Sequence, residues 1–274
     1  METINETKRR IHNFYKYLLE LIRKPVMSIL PGQLSFFLLL SIIPIILIIG
    51  VVSSATGADV LNIKNIIIET LPARVGTLLT PLLKGRGLDY NILILIISAM
   101  LLVSKGTRSI IRVASVIYET KDVNNLGTFL KSIAFAIMLI VLMAFLIIIP
   151  VLGNKILEVL SNFDMITESL LKAYTILKWP LTVVVIFINL KIIYIYSPNR
   201  TIPSKSVNKG ATFTSVLWVA ITALYSFYIT HLTKYNIFYG GAANIIILML
   251  WIYLMSYIFV LGMSINASYL KSQD

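Results

Sequence analysis

The chain has 274 residues, of which 58% are hydrophobic and 13% charged, and its mean hydropathy is +0.87. A soluble domain averages about 45–50% apolar and about 25% charged residues, so this composition argues against a soluble fold. The net charge of +12 would suggest nucleic acid in a soluble protein, but in a membrane protein it indicates basic cytoplasmic segments, and no nucleic-acid partner is expected. The lack of cysteine excludes disulfides, thiol catalysis and cysteine-ligated metals.

The hydrophobic residues lie in blocks of about 20, the length of helix that crosses a bilayer core about 30 Å thick. The sequence therefore predicts an all-α membrane protein with six transmembrane helices in a domain of residues 33–270. The predicted spans are about 33–52, 90–104, 129–150, 174–196, 210–230 and 242–261.

Residues 1–32 are expected to be cytoplasmic, with a helix over 4–24 and an end to the segment at Pro31-Gly32. The apolar residues of this helix recur at helical spacing and are Ile11, Phe14, Leu18 and Ile22. A basic amphipathic helix of this kind commonly lies at a membrane surface, so the expected partner is the lipid bilayer, with anionic lipids as candidates. No cleavable signal is expected, because residues 1–30 are charged throughout.

Residues 53–89 are too polar to span and are expected to form two short amphipathic helices on the outer surface. The first span contains Ser41 and Pro44, and the fourth contains Pro180. A proline inside a helix frees a backbone carbonyl and favours a kink. A kink in the first span is either a packing feature or a hinge or cavity wall.

One basic cluster follows a span directly, where Lys105, Arg108 and Arg112 share a helical face. These residues either snorkel and anchor the inner side of the membrane, or bind a phosphate or lipid headgroup. Lys191 in the fourth span and Arg200 in the loop after it are further candidates for binding an anion or headgroup.

The last span carries a stripe of small, amide and aromatic side chains that are unfavourable against lipid and are expected to face protein. Its candidate cavity or packing residues are Asn244, Trp251, Gly262 and Asn266. The fifth span carries a hydroxyl-rich series that suits close helix packing or a wetted cavity: Thr212, Thr214, Ser215, Trp218 and Thr222. Ser41 and Pro44 join these as candidates.

Six spans place both termini on one side. With the N-terminus inside, the cytoplasmic segments are 1–32, 105–128, 197–209 and 271–274, and they hold twice as many Lys and Arg residues as the outer segments. This bias predicts that both termini are cytoplasmic.

No P-loop, dinucleotide fingerprint or metal-ligand spacing occurs, so no cofactor, metal or catalytic residue is predicted. The two histidines, His12 and His231, fall on opposite sides of the membrane in this topology. No Asp or Glu lies inside a predicted span, which lowers the weight of a proton-coupled mechanism.

The stretch around the last span also has the residues of a family motif. They are Tyr239, Gly240, Leu250 and Trp251, followed by a Gly-x-x-x-Asn-Ala end at Gly262, Asn266 and Ala267. Three other segments contribute: Ser41 with Pro44, the loop Pro198-Asn199-Arg200 that leads to Gly210-Ala211, and the basic segment after the second span. In this order they resemble the YihY/virulence factor BrkB family of bacterial inner-membrane proteins over nearly the whole chain. The resemblance implies a multi-pass inner-membrane protein and supplies no catalytic residues. Some members have carried a ribonuclease BN label, but this sequence contains no nuclease constellation.

The leading functional hypothesis is a transporter, or a translocator of lipid or envelope components, without its own ATPase and with an anionic substrate. It rests on the proline-interrupted spans, the hydroxyl-rich fifth span and the basic face after the second span. The alternative is a non-transporting membrane scaffold or envelope assembly factor that recruits partners through residues 1–30. An intramembrane enzyme ranks last, because catalytic groups are missing.

Overall fold

The structure is a computed structural model that describes residues 2–25, 27–41, 90–120, 126–141, 168–232 and 242–272. Throughout these ranges the regular secondary structure is helical and contains no strand, which confirms the all-α prediction. The α-helices are α1 Glu2–Arg23, α2 Met27–Ser41, α3 Tyr90–Ile117, α4 Leu126–Val141, α5 Glu168–Tyr196, α6 Asn208–Leu232 and α7 Ala242–Lys271, and a 3-10 helix covers Ser204–Val207.

Two helical stretches of the described chain are long and apolar enough to cross a bilayer, namely Ser204–Tyr228 and Ile246–Lys271. A third results if Ile11–Arg23 and Met27–Ser41, which are bent by 67° relative to each other, count as one span. Shorter apolar stretches cover Leu126–Val141 and Pro180–Tyr196. These lengths fit a helical membrane protein, and the count of six spans stays a prediction.

The first break in the chain falls at Pro25 and not at Pro31-Gly32. α1 ends at Arg23 and α2 begins at Met27, whose amide donates to the carbonyl of Lys24 at 2.9 Å. The physical reason is that a proline disfavours helical backbone in the residue before it. Pro31 and Gly32 lie in the first two turns of α2, so the helix expected at 33–52 starts earlier than its predicted span.

α3 is one continuous helix, so the helix predicted over 90–104 continues through the basic segment that follows it. The sequence leaves open whether this helix continues beyond residue 104, and the structure shows that it includes residues 105–117. Their cytoplasmic placement stays a prediction. Apolar residues at spacings of three and four keep the second half of α3 in the core. Its buried members include Ile110, Ile111, Val113, Ala114 and Ile117.

Two other helices exceed their predicted spans, because α5 begins at Glu168 and α7 continues to Lys271. The predictions of amphipathic helices over 53–89 and of a kink at Pro44 lie outside the described residues.

α7 lies at the centre of the described helices. It packs most extensively on α6 and also contacts α1, α3 and the 3-10 helix, while α5 packs on α6. The core contains fully buried side chains from α2 to α7, including Leu34 of α2, Val113 of α3, Leu190 of α5 and Val260 of α7. This arrangement brings the ends of α1, α3, α5 and α7 close together.

Candidate functional site

Two glycines allow α6 and α7 to approach at backbone contact distance. A Cβ atom at Gly210 would overlap the carbonyl oxygen of Gly262, and one at Gly262 would overlap Oγ1 of Thr214 and lie 2.5 Å from Oη of Tyr194. Small residues at such a contact let two helices pack closely in a membrane. The α6–α7 seam therefore depends on the absence of side chains at both positions.

A buried hydrogen-bond network crosses this seam. Tyr194 of α5 is fully buried, and its hydroxyl donates to the carbonyl oxygen of Phe259 at 2.9 Å. The hydroxyl oxygen of Tyr194 also lies 2.8 Å from Oγ1 of Thr214, whose hydroxyl can donate to it. One tyrosine hydroxyl thus joins α5, α6 and α7 in the buried core, where unpaired polar groups are costly.

Asn266 of α7 caps the first turn of α6. Its Oδ1 accepts a hydrogen bond of 2.7 Å from the amide of Gly210, one of the amides at a helix start that have no partner within the helix. The Nδ2 atom of Asn266 has no hydrogen-bond partner among the described residues. In the structure this candidate residue is buried at the contact between α6 and α7.

The other candidate residues of α6 and α7 do not form one polar wall. Trp218 donates from Nε1 to the carbonyl of Met255 at 3.0 Å, and Trp251 stacks on Tyr225 with ring centroids 5.4 Å apart. Thr214 is buried. Of the hydroxyl series, Thr214 and Ser215 face the core whereas Thr212 and Thr222 are exposed. Thr212 lies two residues before Thr214 and therefore on nearly the opposite side of the helix.

The candidates of the first span are only partly described. Ser41 is buried where α2 meets α3, because a Cβ at Gly106 would lie 2.5 Å from Oγ of Ser41. Pro44 and the side chain of Asn244 lie outside the described residues.

The basic face of α3 lies beside α4. Lys105 and Arg112 are exposed, whereas Arg108 is half-buried with its guanidinium carbon 5.3 Å from the ring centroid of Phe129. The Nε atom of Arg108 is buried without a hydrogen-bond partner, and no described acidic residue forms an ion pair with this side chain. Arg108 is therefore a partly desolvated cation without a counter-ion among the described residues.

The two remaining basic candidates, Lys191 and Arg200, come from later in the chain and contact different residues from the basic face of α3. Lys191 is half-buried, with Nζ 6.0 Å from the ring centroid of Phe187 on the same helix. Arg200 is exposed and lines a cavity between the ends of α1, α3 and α7. The five basic candidates thus lie in three different surroundings.

Lys131 of α4 was not predicted to have a role, yet it holds the loop after α5. Its Nζ donates to the carbonyls of Ser197 and Pro198 at 3.1 and 2.7 Å and to Oδ1 of Asn199 at 2.9 Å. These oxygens lie at the C-terminus of α5, where a positive charge is stabilised by the helix dipole. Asn199 also donates to Ser115 of α3 at 3.2 Å, so the loop is held from two helices.

Glu119 joins the end of α3 to α1 and α7. Its carboxylate accepts from Lys24 at 2.7 Å and from Lys271 at 3.4 Å, and Lys271 also lies 5.2 Å from the ring centroid of Tyr17. The hydrogen bond and charge of Lys24, and then the charge of Lys271, lower the pKa of Glu119 below its ordinary value. We call Lys24, Glu119 and Lys271 the lysine clamp.

Glu119 has a φ of 52°, the only positive φ outside glycine in the described chain. It follows the end of α3 in a Schellman arrangement, with the amide of Thr120 donating to the carbonyl of Ser115 at 2.9 Å. Glycine is the usual residue at such a position, and another residue costs about 1 kcal/mol there. The two ion pairs of the lysine clamp, which a glycine could not form, offset part of this cost.

Apolar helices of spanning length around a buried helical core, with basic residues collected at one end, define a helical membrane protein. Residues 24–274 match the family model described as Virulence factor BrkB, and the chain belongs to that family.

Related proteins support this assignment. The chain is 26% identical over 244 residues to YfkH of Bacillus subtilis, whose name describes it as ribonuclease-like, and the match covers 86% of this chain and 87% of that protein. It is 27% identical over 270 residues to a UPF0761 membrane protein of Vibrio parahaemolyticus, covering 93% and 81%. A UPF0761 membrane protein of Pseudoalteromonas translucida is 33% identical over 75 residues, 27% of this chain and 25% of that protein. No solved structure matches the chain.

Several residues that organise this end of the molecule carry little signal in the sequence. Glu119 and Tyr118 could have been noticed only as an acid and an aromatic residue at the end of a basic helical segment. Lys131 could have been noticed as a charge near the start of an apolar helix. Their partners lie 66 to 152 residues away, so the pairs themselves could not be predicted from local spacing.

Proposed function

We propose that this protein is a multi-pass protein of the bacterial plasma membrane that transports an anionic solute, or translocates an anionic lipid or envelope component, without an ATPase of its own. The observation that carries the proposal is Arg108, a half-buried guanidinium with an unpartnered Nε and with Lys105 and Arg112 on the same face. A buried charge is stable only when it is paired. Anionic headgroups and anionic solutes supply the missing charge.

The proposal includes six spans with both termini in the cytoplasm. Six helices, α2 to α7, follow α1, and each overlaps one predicted span. The basic segments assigned to the cytoplasm also meet at one end of the molecule, since Glu119 pairs with Lys24 and Lys271 and the loop at Ser197 is held by Lys131. This convergence supports a common side for all of them.

The topology can be tested directly because the chain has no cysteine. We expect a membrane-impermeant maleimide to label Thr233→Cys, in the predicted outer connection between the spans 210–230 and 242–261, in intact cells. The same reagent should label Lys205→Cys and Ser28→Cys only after the membrane is permeabilised. Labelling of the latter two in intact cells would contradict cytoplasmic placement of these segments.

Transport is tested in proteoliposomes that carry labelled phosphatidylglycerol, with labelled phosphatidylcholine as the neutral counterpart. We expect wild type to move the anionic lipid faster than protein-free vesicles do. Losing one charge-assisted hydrogen bond costs about 1.5–3 kcal/mol, so Arg108→Gln should slow this movement about tenfold or more.

Lys205→Gln is the matched control, because it removes an equal charge from an exposed position away from the basic face. Arg112→Gln is a second variant of the basic face. Because Arg112 is exposed, its loss should not disturb folding, so this variant tests the face even if Arg108→Gln misfolds. Equal rates for wild type and the double variant Arg108→Gln/Arg112→Gln, for both lipids and for a panel of anionic solutes, would overturn the proposal.

The scaffold alternative draws support from α1. Its residues Ile11, Tyr15 and Leu19 form an edge of which each side chain is more than half exposed, as expected of a helix that lies on another surface. Crosslinking from these positions in cells distinguishes the two functions. One stoichiometric protein partner together with wild-type lipid movement equal to protein-free vesicles would favour the scaffold.

The proposal assigns the protein no enzymatic activity. The ribonuclease-like name belongs to YfkH, and the part of the chain that the structure describes contains no group of three or more His, Asp or Glu residues that could hold a metal ion.

A further inference from the structure

A cavity of about 330 Å³ lies where α1, the end of α3, the loop after α5 and the end of α7 meet. We call it the interface cavity. Its lining includes three cationic side chains, Lys24, Arg200 and Lys271, and two anionic ones, Glu20 and Glu119. Because Glu119 is already bonded to both lysines, Arg200 is the lining cation that forms no ion pair with a described residue.

Two hydroxyl-bearing side chains in the lining of the interface cavity lack hydrogen-bond partners among the described residues. Tyr118 is 7% exposed and Ser268 is 2% exposed, and neither Oη of Tyr118 nor Oγ of Ser268 is paired. Buried polar groups are nearly always paired, and an unpaired one is costly. Because both residues line the cavity, an acceptor-rich ligand there would supply the missing partners once these side chains turn toward it.

Arg200 and Tyr118 lie within electrostatic reach of each other. Burial raises the pKa of the Tyr118 hydroxyl, and the charge of Arg200 opposes part of that rise. At neutral pH the tyrosine is therefore a hydrogen-bond donor beside a guanidinium. A planar guanidinium with neighbouring hydroxyl donors is the usual protein complement of a phosphate group.

α1 lines the interface cavity and has the residue pattern of a helix that lies at the depth of lipid headgroups. One face of the helix, with Tyr17 and Leu21, lines the cavity, and the neighbouring edge with Ile11, Tyr15 and Leu19 is exposed and apolar. The remaining face carries exposed basic residues, among them Arg9, Lys16 and Arg23. A helix of this kind lies in the interface plane of an anionic membrane.

We propose that the interface cavity binds the phosphate group of an anionic membrane lipid, with Arg200 as its principal charge and Tyr118 and Ser268 as hydroxyl donors. This site is separate from the Arg108 face, and it requires no transport. A lipid headgroup and free phosphate share the same recognition chemistry, so the test has one arm for each.

The test measures lipid binding to the full chain in detergent micelles by native mass spectrometry, with phosphatidylglycerol, phosphatidylcholine and inorganic phosphate as probes. We expect phosphatidylglycerol to bind in preference to phosphatidylcholine. Arg200→Gln should weaken phosphatidylglycerol binding about tenfold, and Tyr118→Phe several-fold, since each removes a donor to phosphate. Tyr118→Phe removes only an unpaired oxygen and should leave folding intact.

Lys205→Gln is the control, because this exposed lysine lies in the same connection as Arg200 but does not line the interface cavity. It should bind phosphatidylglycerol as wild type does. If millimolar inorganic phosphate displaces the lipid from wild type but does not bind Arg200→Gln, free phosphate shares the site. Equal affinities for the two lipids, or binding unchanged in both Arg200→Gln and Tyr118→Phe, would overturn the proposal whatever the outcome of the transport assay.

Discussion

The amide of Gly210 donates a 2.7 Å hydrogen bond to Oδ1 of Asn266, so a side chain from α7 caps the first turn of α6. The turn of α6 that contains Gly210 also contacts the turn of α7 that contains Gly262, because a Cβ at Gly210 would overlap the carbonyl oxygen of Gly262. Cap and contact depend on each other, since Asn266 reaches the amide only when the helices are this close. The seam should therefore be sensitive to any added volume.

Gly262→Ala is expected to destabilise the protein. The new methyl group would overlap Oγ1 of Thr214 and lie 2.5 Å from Oη of Tyr194, and both atoms are held by hydrogen bonds in the core. Overpacking of this kind costs about 1–3 kcal/mol or more. Thermal unfolding in detergent, followed by the fluorescence of the three tryptophans, should show a melting temperature several degrees lower.

Gly32→Ala is the matched control for this experiment. Gly32 also lies in a helix, but nothing lies within 4 Å of the Cβ it would gain. Alanine is a better helix former than glycine by about 1 kcal/mol, so this variant should melt at the wild-type temperature or above it. Equal loss of stability in the two variants would show that close packing at Gly262 is not the cause.

Tyr194→Phe is expected to cost about 1–3 kcal/mol, because the change leaves the carbonyl of Phe259 and the hydroxyl of Thr214 without their shared partner. Tyr196→Phe, two residues further along α5 and 59% exposed, should change stability by less than about 0.5 kcal/mol. The two melting curves, recorded in the same detergent, decide the matter. A Tyr194→Phe protein as stable as Tyr196→Phe would mean that the network contributes no stability.

The sequence predicts the stripe on α7 because small and amide residues recur there at spacings of three and four in an otherwise apolar run. In the structure Gly262 and Asn266 of this stripe are buried. The partner of each could not be predicted, since Gly210 and Tyr194 lie 56 and 65 residues from their α7 partners Asn266 and Phe259. Local spacing determines which face is buried and leaves open what it is buried against.

In the basic cluster, too, local spacing predicts the shared helical face but not the burial of each residue. Helical spacing places Lys105, Arg108 and Arg112 on one face, but it does not distinguish the half-buried Arg108 from its exposed neighbours. That distinction depends on Phe129 of α4, which covers the guanidinium. The lysine clamp was missed because its three members come from three separate parts of the chain.

The lysine clamp should weaken at acid pH. Lys24 and Lys271 lower the pKa of Glu119 below the ordinary 4.5, so the ionised carboxylate stabilises the folded state fully above about pH 4.5. This contribution is lost as the pH falls through the lowered pKa of the folded state. Because the carboxylate is 54% exposed, the contribution is below about 1 kcal/mol.

The measurement is the distance distribution between spin labels at Lys16→Cys on α1 and Lys205→Cys after α5, both of which are exposed. We expect a narrow distribution at pH 7 that broadens as the pH is lowered below 4.5. Glu119→Gln should give the broad distribution at every pH. A distribution that stays narrow in Glu119→Gln would show that α1 is held by its apolar contacts alone.

Lys131→Met should loosen the loop after α5. The substitution keeps an unbranched side chain but removes three donors, from the carbonyls of Ser197 and Pro198 and from Oδ1 of Asn199. Unpaired acceptors at a helix end cost about 1–3 kcal/mol, and loss of the charge at the helix C-terminus adds about 0.3–1 kcal/mol.

Trypsin reports on this loop, because Arg200 is exposed and follows the held segment directly. Cleavage after Arg200, quantified by mass spectrometry, should be faster in Lys131→Met by about tenfold, which corresponds to about 1.4 kcal/mol of easier local opening. Lys205→Met, a change at an exposed lysine of the same connection, should leave the rate of this cleavage unchanged. The role of Lys131 is refuted if all three proteins are cut after Arg200 at one rate, since the loop would then be held by Ser115 and by packing against α3.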